Sequence, residues 1–266
     1  MKTRISVLMA IYNCENTLAE AIESLLNQTY KNFQIILCDD ASTDDTYAIA
    51  KSYAEKYDFI KLIRNKENLK LAASLNHCLE HANTEYVARM DGDDISLPTR
   101  FEKQIDFLDD NKIFAVVSSP MIYFDETGDW GRGKNNPTPS IQDFKKGTPH
   151  SHAPSMIRTS AIKSVEGYTV SKRMQRGQDY YLWYKMYKKG YKGYNLEEPL
   201  YKMRDDRNAM GRRTFMVRYN GFVTKYQVMQ DLGIKNAFFY ALPNLIKAFI
   251  PHFLMKIIRK KRLDNF

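Results

Sequence analysis

The feature that most constrains this chain is an alternation of short apolar runs with helical stripes across residues 5–118. The runs lie at 5–10, 33–38, 60–63, 86–90 and 114–118, and each is short enough to be a buried strand. Between them, apolar residues recur at the 3.6-residue period: Leu18, Ile22, Leu25 and Leu26, then Leu71, Leu75, Cys78 and Leu79, then Phe101, Ile105 and Leu108. A further helix is expected over about 44–57. Thr17-Leu18-Ala19-Glu20 has the form of a capping box, and Pro98 marks a helix start. Strand and helix in strict turn predict an α/β fold, a mainly parallel sheet with helices on both faces.

Three of the runs stop at polar clusters. The first ends at Ile11-Tyr12-Asn13, the second at Asp39-Asp40, and the fourth at Asp91-Gly92-Asp93-Asp94. In an open parallel sheet, ligands bind beyond the carboxyl ends of the strands, so Tyr12, Asp40 and the 91–94 cluster are expected to converge. Three carboxylates in four residues repel one another unless a positive charge sits among them. A hard divalent cation, Mg²⁺ or Mn²⁺, suits such oxygens and keeps positions open for phosphate. A solvated acidic turn ahead of a helix would use the same residues, and this cluster alone does not separate the two.

At 266 residues the chain has room for one large domain, or one domain with an appendage. Its three cysteines, Cys14, Cys38 and Cys78, lack CxxC spacing, and Cys38 and Cys78 fall on core positions, which fits a reduced compartment. Residues 1–4 lead straight into a strand, so no signal peptide is expected. The net charge of +9 is localised: residues 1–203 balance 27 Lys and Arg against 27 Asp and Glu, while residues 204–266 hold 13 against 4. A nucleic-acid binder would spread basic residues over a groove, so the neutral body argues against that class.

Past residue 119 the texture changes. Residues 128–139 read as a long loop or hairpin, and a helix is expected from Asp179 to about Lys189. Residues 238–262 are apolar but interrupted by Lys247, His252 and Lys256 and by Pro243 and Pro251, which argues against a spanning helix of about 20 apolar residues. Asn244, Lys247, His252, Lys256 and Arg259 fall largely opposite Leu245, Ile246, Phe249, Phe253 and Leu254, and Arg259-Lys260-Lys261-Arg262 follows. That pattern suits contact of residues 239–262 with an anionic membrane surface, against the alternative of a helix packed on the body or a partner. The expected division is a catalytic domain at 1–215 and an amphipathic, basic helical segment at 216–266.

With those residues in view, the chain resembles the family-two glycosyltransferases, which have the nucleotide-diphosphosugar transferase (GT-A) fold. The resemblance rests on residues 6–13 (SVLMAIYN), 24–30 (SLLNQTY), 39–44 (DDASTD), 89–94 (RMDGDD) and 178–183 (QDYYLW), in that order. It implies donor-nucleotide contacts at Ala10, Tyr12, Asp40, Asn68, Asp91 and Gly92, with Tyr12 stacking on the base and Asp40 accepting a hydrogen bond from it. Asp39 would instead cap or brace the following turn. It implies a divalent ion, Mg or Mn, held by Asp93 and Asp91, with Gly92 admitting close approach of the donor. Asp94 is expected to cap the next helix. Asp179 matches the catalytic base of an inverting displacement, and an N-cap role is compatible with it. Gln178 stands where Glu often precedes that base, Ala10 where Pro is frequent, and Leu71 where Gly often precedes a helix. Gln178 and His152 are assigned to the acceptor side, with acceptor binding, metal contact and loop capping all open for His152.

The resulting expectation is a metal-dependent, inverting, hexosyltransferase-type enzyme, cytoplasmic and peripheral on the inner face of the cell membrane. It would move a sugar from a nucleotide-sugar, a UDP-sugar, to a glycan or lipid-linked acceptor in surface polysaccharide synthesis. The alternatives are a nucleotidyltransferase, which lacks its Gly-rich loop here, an inactive transferase-like scaffold, and a basic nucleic-acid-binding protein.

Overall fold

The computed structural model describes residues 3–174, 176–205 and 214–249. The first half alternates as the periodicity demands: β1 (Ile5–Ile11), α1 (Leu18–Leu26), β2 (Phe33–Asp39), α2 (Thr46–Lys56), β3 (Ile60–Arg64), α3 (Leu71–Glu80) and β4 (Tyr86–Asp91). Next come β5 (Ile95–Ser96), α4 (Arg100–Asp110), β6 (Phe114–Ser118) and a hairpin of β7 (Ile122–Asp125) and β8 (Gly128–Arg132). β9 (Met156–Arg158), α5 (Thr159–Ser164), α6 (Gln178–Lys188), β10 (Lys192–Asn195) and β11 (Tyr201–Arg204) follow, then α7 (Phe215–Asp231) and α8 (Ala237–Ile246).

Seven strands form the main sheet in the order β10-β6-β9-β4-β1-β2-β3. β4, β1, β2 and β3 run parallel, as does β10 with β6, and β9 alone is antiparallel to its neighbours β4 and β6. The strand alternation sends side chains to two cores. Val7, Met9, Ile35 and Leu37 pack with Leu18, Ile22, Phe101 and Ile105 on one face. Leu8, Ile36 and Cys38 pack with Leu75, Cys78, Ile162 and Trp183 on the other. Burial of this kind stabilises by about 25 cal/mol per Å² of apolar surface, which is why helices cover both faces.

A second sheet, ordered β5-β11-β7-β8, stands beside the carboxyl end of β4. Its place is set by the loop that precedes α4. The buried Gln28 side chain donates to the Leu97 carbonyl at 2.8 Å and to Ser96, and accepts from the Phe101 amide at 3.1 Å. Ser24 Oγ accepts from the Ser96 amide at 3.0 Å. The Ser24-to-Tyr30 motif is therefore an anchor for the stretch that follows the acidic cluster.

Several local expectations change. Thr17 is the N-cap residue of α1 but makes no cap hydrogen bond; its hydroxyl instead donates to the Gly92 carbonyl at 2.9 Å. Glu20, the other half of the expected box, pairs with Arg204. Pro98 lies two residues ahead of α4, whose N-cap is Thr99.

The described part of the 216–266 segment packs on the body. Val228, Met229, Ile234, Ala237 and Ala241 join the same buried cluster as Phe144, Tyr180 and Trp183. Lys225 Nζ donates to the Lys145 carbonyl at 2.7 Å. Residues 250–266, with His252, Lys256 and the basic run at 259–262, lie outside the described residues. Among the described residues, no helix is long and apolar enough to cross a membrane.

Candidate active site

Register brings the carboxyl ends of three strands level. Ala10, near the end of β1, is the Cα partner of both Cys38 on β2 and Asp91 on β4, and Ile11 pairs with Asp39. The loops beyond are laced together: the Asn13 amide donates to Ser42 Oγ at 3.2 Å, the Cys14 amide to Thr46 Oγ1 at 2.7 Å, and the Thr43 amide to Asn13 Oδ1 at 3.0 Å. Tyr12 stands on this rim with its side chain 46% exposed.

Asp39 and Asp40 point to different tasks. Asp39 is fully buried and pairs with Arg64 Nε at 2.9 Å, bracing the turn as expected. Asp40 Oδ1 accepts from Asn65 Nδ2 and from the Leu69 amide, both at 2.8 Å, and its Oδ2 accepts from the Lys70 amide at 2.9 Å. Two oxygens offer about four acceptor positions; three are taken, and one remains on Oδ2. Asn68 belongs to the same loop, where its Oδ1 accepts from the Lys70 amide at 3.3 Å.

Three non-glycine residues in these loops have left-handed backbone: Asn13 at φ 47°, Ala41 at 57° and Lys70 at 72°. Such conformations cost on the order of 1–3 kcal/mol each and gather where a site imposes them. The position before α3 that calls for glycine is thus Lys70, its N-cap residue, and not Leu71, which already begins the helix.

Asp91, Asp93 and Asp94 place carboxylate oxygens within 4.8 Å of one another, and this is the metal-competent group among the described residues; His152 is not part of it. Gly92 has a packing requirement of its own, since a Cβ there would lie 2.8 Å from Cys14 Sγ. Burial, then the charge of Asp91, pushes the Asp93 carboxyl up to about 6. Burial, with Asp91 and Asp93, raises Asp94 well above the carboxylate range. These shifts mark a shortage of positive charge that a cation would relieve, so the donor set fits a divalent ion at Asp91 and Asp93. Asp94 does not cap α4. It is buried against the second sheet, where its Oδ1 accepts from the Arg204 amide at 2.8 Å.

The surroundings of the cluster contain residues the sequence reading left without a role. Arg89, two residues before Asp91 and so on the same face of β4, is buried and paired with it. Burial opposes the Arg89 charge, but Asp91 outweighs it and keeps the guanidinium protonated. Tyr201 Oη accepts from the Asp91 amide at 3.2 Å, and Arg204 Nε donates to the Asp93 carbonyl at 3.0 Å. Arg100, also buried, donates to the Arg89 carbonyl at 2.8 Å.

On the other flank, α6 begins at Gln178 with Gly177 as N-cap, so Asp179 occupies the first turn and is not the cap residue. Gln178 Oε1 accepts from the Gly177 amide at 3.0 Å, fixing the helix entry. Tyr168 is buried on this flank. Burial raises its hydroxyl, and Arg89, Asp179 and Asp91 all act on it. His152 Nε2 hydrogen-bonds Tyr168 Oη at 2.8 Å. Burial and the nearby Arg89 hold His152 well below the usual imidazole range, so it is neutral at physiological pH. Arg89 and Tyr168 could have been suspected only from strand alternation and from an aromatic in a loop, both weak signals.

Comparison with known proteins agrees with this geometry. Residues 6–219 match the profile of Glycosyl transferase family 2. The chain is 47% identical to EpsE of Bacillus subtilis over 264 residues, covering 98% of this chain and 95% of that protein. It is 28% identical over 247 residues, or 91% of its length and 94% of the other's, to the UDP-Glc:alpha-D-GlcNAc-diphosphoundecaprenol beta-1,3-glucosyltransferase WfaP of Escherichia coli. Among solved structures, S. aureus TarS 1-349 in complex with UDP-GlcNAc superposes with a TM-score of 0.67 at 18% identity, over 92% of this chain and 79% of that one. That likeness establishes the GT-A fold.

Proposed function

The chain belongs to glycosyl transferase family 2, and on that premise we propose that it transfers one sugar from a UDP-sugar to a hydroxyl of a lipid-linked glycan in surface polysaccharide synthesis, with inversion at the anomeric carbon. The observation that carries the reading is the level alignment of the β1, β2 and β4 ends, at or just beyond which Tyr12, Asp40, Asp91 and Asp93 follow in the chain. WfaP is named for UDP-Glc and a diphosphoundecaprenol acceptor, and TarS has been seen with UDP-GlcNAc; both support this donor and acceptor class.

In this scheme Tyr12 offers a ring face to the base, and the remaining acceptor position on Asp40 receives the base N–H. Asp91 and Asp93 would hold a divalent ion, which when bound supplies Lewis-acid neutralisation of the diphosphate. Asp179 takes the proton of the acceptor hydroxyl as its oxygen bonds to the anomeric carbon. The bond from that carbon to the diphosphate oxygen breaks, and the nucleoside diphosphate leaves with the electron pair. Arg89 pairs with Asp91 and holds it in place, and neutral His152 hydrogen-bonds the buried Tyr168 nearby. The enzyme would work at the cytoplasmic face of a membrane, as a peripheral protein.

Calorimetric titration of UDP with and without Mn²⁺, on the wild type and on Asp93→Ala, tests the reading. Metal-dependent binding that the variant loses supports it. Binding of GDP in place of UDP would overturn the donor assignment, and absence of any nucleotide binding would overturn the enzyme reading.

A further inference from the structure

The α7–α8 hairpin has two unlike faces. The inner one is spent on the body through Val228, Met229, Ala237 and Ala241. The outer one leaves Phe215, Met216, Tyr219, Phe238, Phe239 and Phe249 exposed, with Phe239 at 69% and Phe249 at 75%. These are not scattered residues. Phe215 stacks with Tyr219 at 6.5 Å and meets Phe249 edge-on at 6.0 Å, and Phe238 meets Phe239 at 5.8 Å. Two clusters of exposed aromatic side chains on one hairpin mark an interaction surface.

Charge indicates the occupant. The whole +9 of the chain falls in residues 204–266, and Lys256, Arg259, Lys260, Lys261 and Arg262 follow Phe249 within 13 residues. A second copy would bring two strongly positive C-terminal quarters together, whereas anionic lipid complements their charge. We propose that the outer face of the α7–α8 hairpin is a docking surface for an anionic lipid bilayer, with the aromatic side chains entering the headgroup region and the Lys and Arg residues on lipid phosphates. Among the described residues the surface runs from the first turn of α7 through α8 to Phe249.

The location fits a lipid-borne acceptor. α7 packs on the 3₁₀ turn Lys172–Met174 and on α6, whose first turn carries Asp179. Docking through the hairpin would therefore set the lipid on the flank of the fold that carries α6 and Asp179. This last point rests on the transferase reading; the lipid contact does not.

The test is flotation of the full chain with phosphatidylcholine vesicles and with vesicles that also contain phosphatidylglycerol. Strong retention only on the second kind is expected. The triple variant Phe215→Ser, Phe239→Ser, Phe249→Ser should lose about a hundred-fold in vesicle affinity while keeping its UDP titration. A separate Phe239→Trp variant should show a blue-shifted emission on anionic vesicles alone. Unchanged retention of the triple variant would overturn the proposal, as would failure of the wild type to float. A wild-type dimer in sedimentation equilibrium that the triple variant abolishes would assign the face to a second copy and also overturn it. A wild type that floats but binds no UDP would remove the proposed function and leave the docking surface standing.

Discussion

Replacing Lys70 by glycine should make this protein more stable, although it deletes a charged side chain beside the crevice. Lys70 sits at φ 72° and ψ 165°, a region open essentially to glycine. Holding a side chain there costs on the order of 1–3 kcal/mol, and glycine gives back about 0.5–1 kcal/mol through its freer unfolded chain. The difference is a net gain of about 1 kcal/mol, or about 2–4 °C in Tm for a chain of this size. The Lys70 side chain is exposed, so its loss removes little packing. What maintains the strain is Asp40, which accepts from the Leu69 and Lys70 amides at 2.8 and 2.9 Å. In an Asp40→Ala background the loop is unanchored and relieves itself, so the same substitution should bring no gain. Thermal and urea unfolding of the two single variants and the double variant measure this, with an unchanged urea slope as the check on the denatured state. A lower Tm for Lys70→Gly, or an equal gain in both backgrounds, would refute the reasoning.

Asp93→Asn should abolish Mn²⁺-dependent UDP binding in calorimetry. Because the Asp93 carboxyl is raised from 3.8 to about 6 by burial and by Asp91, the metal-free fold binds a proton there that the unfolded chain has released. Metal-free stability should therefore fall as pH rises from about 4 to 6, and Asp93→Asn should flatten that part of the profile in pH-dependent urea melts. Asp179→Asn should lower kcat about 10²–10⁴-fold in a sugar-transfer assay while UDP affinity stays at the wild-type value, since a general base acts after the donor is bound. Gln28→Ala removes a buried amide that serves the Ser96, Leu97 and Phe101 backbone, and should cost about 2–4 kcal/mol in chemical denaturation.

The sequence by itself determined the alternation from β1 to β6, the two-faced core and the three acidic or aromatic strand ends, because hydrophobic period and strand direction are local properties of the chain. It also carried the family. It did not disclose β9, whose three residues Met156, Ile157 and Arg158 are too few to show a period. Nor did it show that Asp94 turns inward. An Asp ahead of a helix reads as a cap, and only β11, 110 residues away in sequence, supplies the Arg204 amide that satisfies it instead. The same holds for Asp179, which Gly177 displaces from the N-cap, and for Tyr168, whose buried hydroxyl meets His152 across the fold. A buried charge must find its partners wherever the packed chain brings them, and that search runs through space, so tertiary structure alone decided how the acidic site is held.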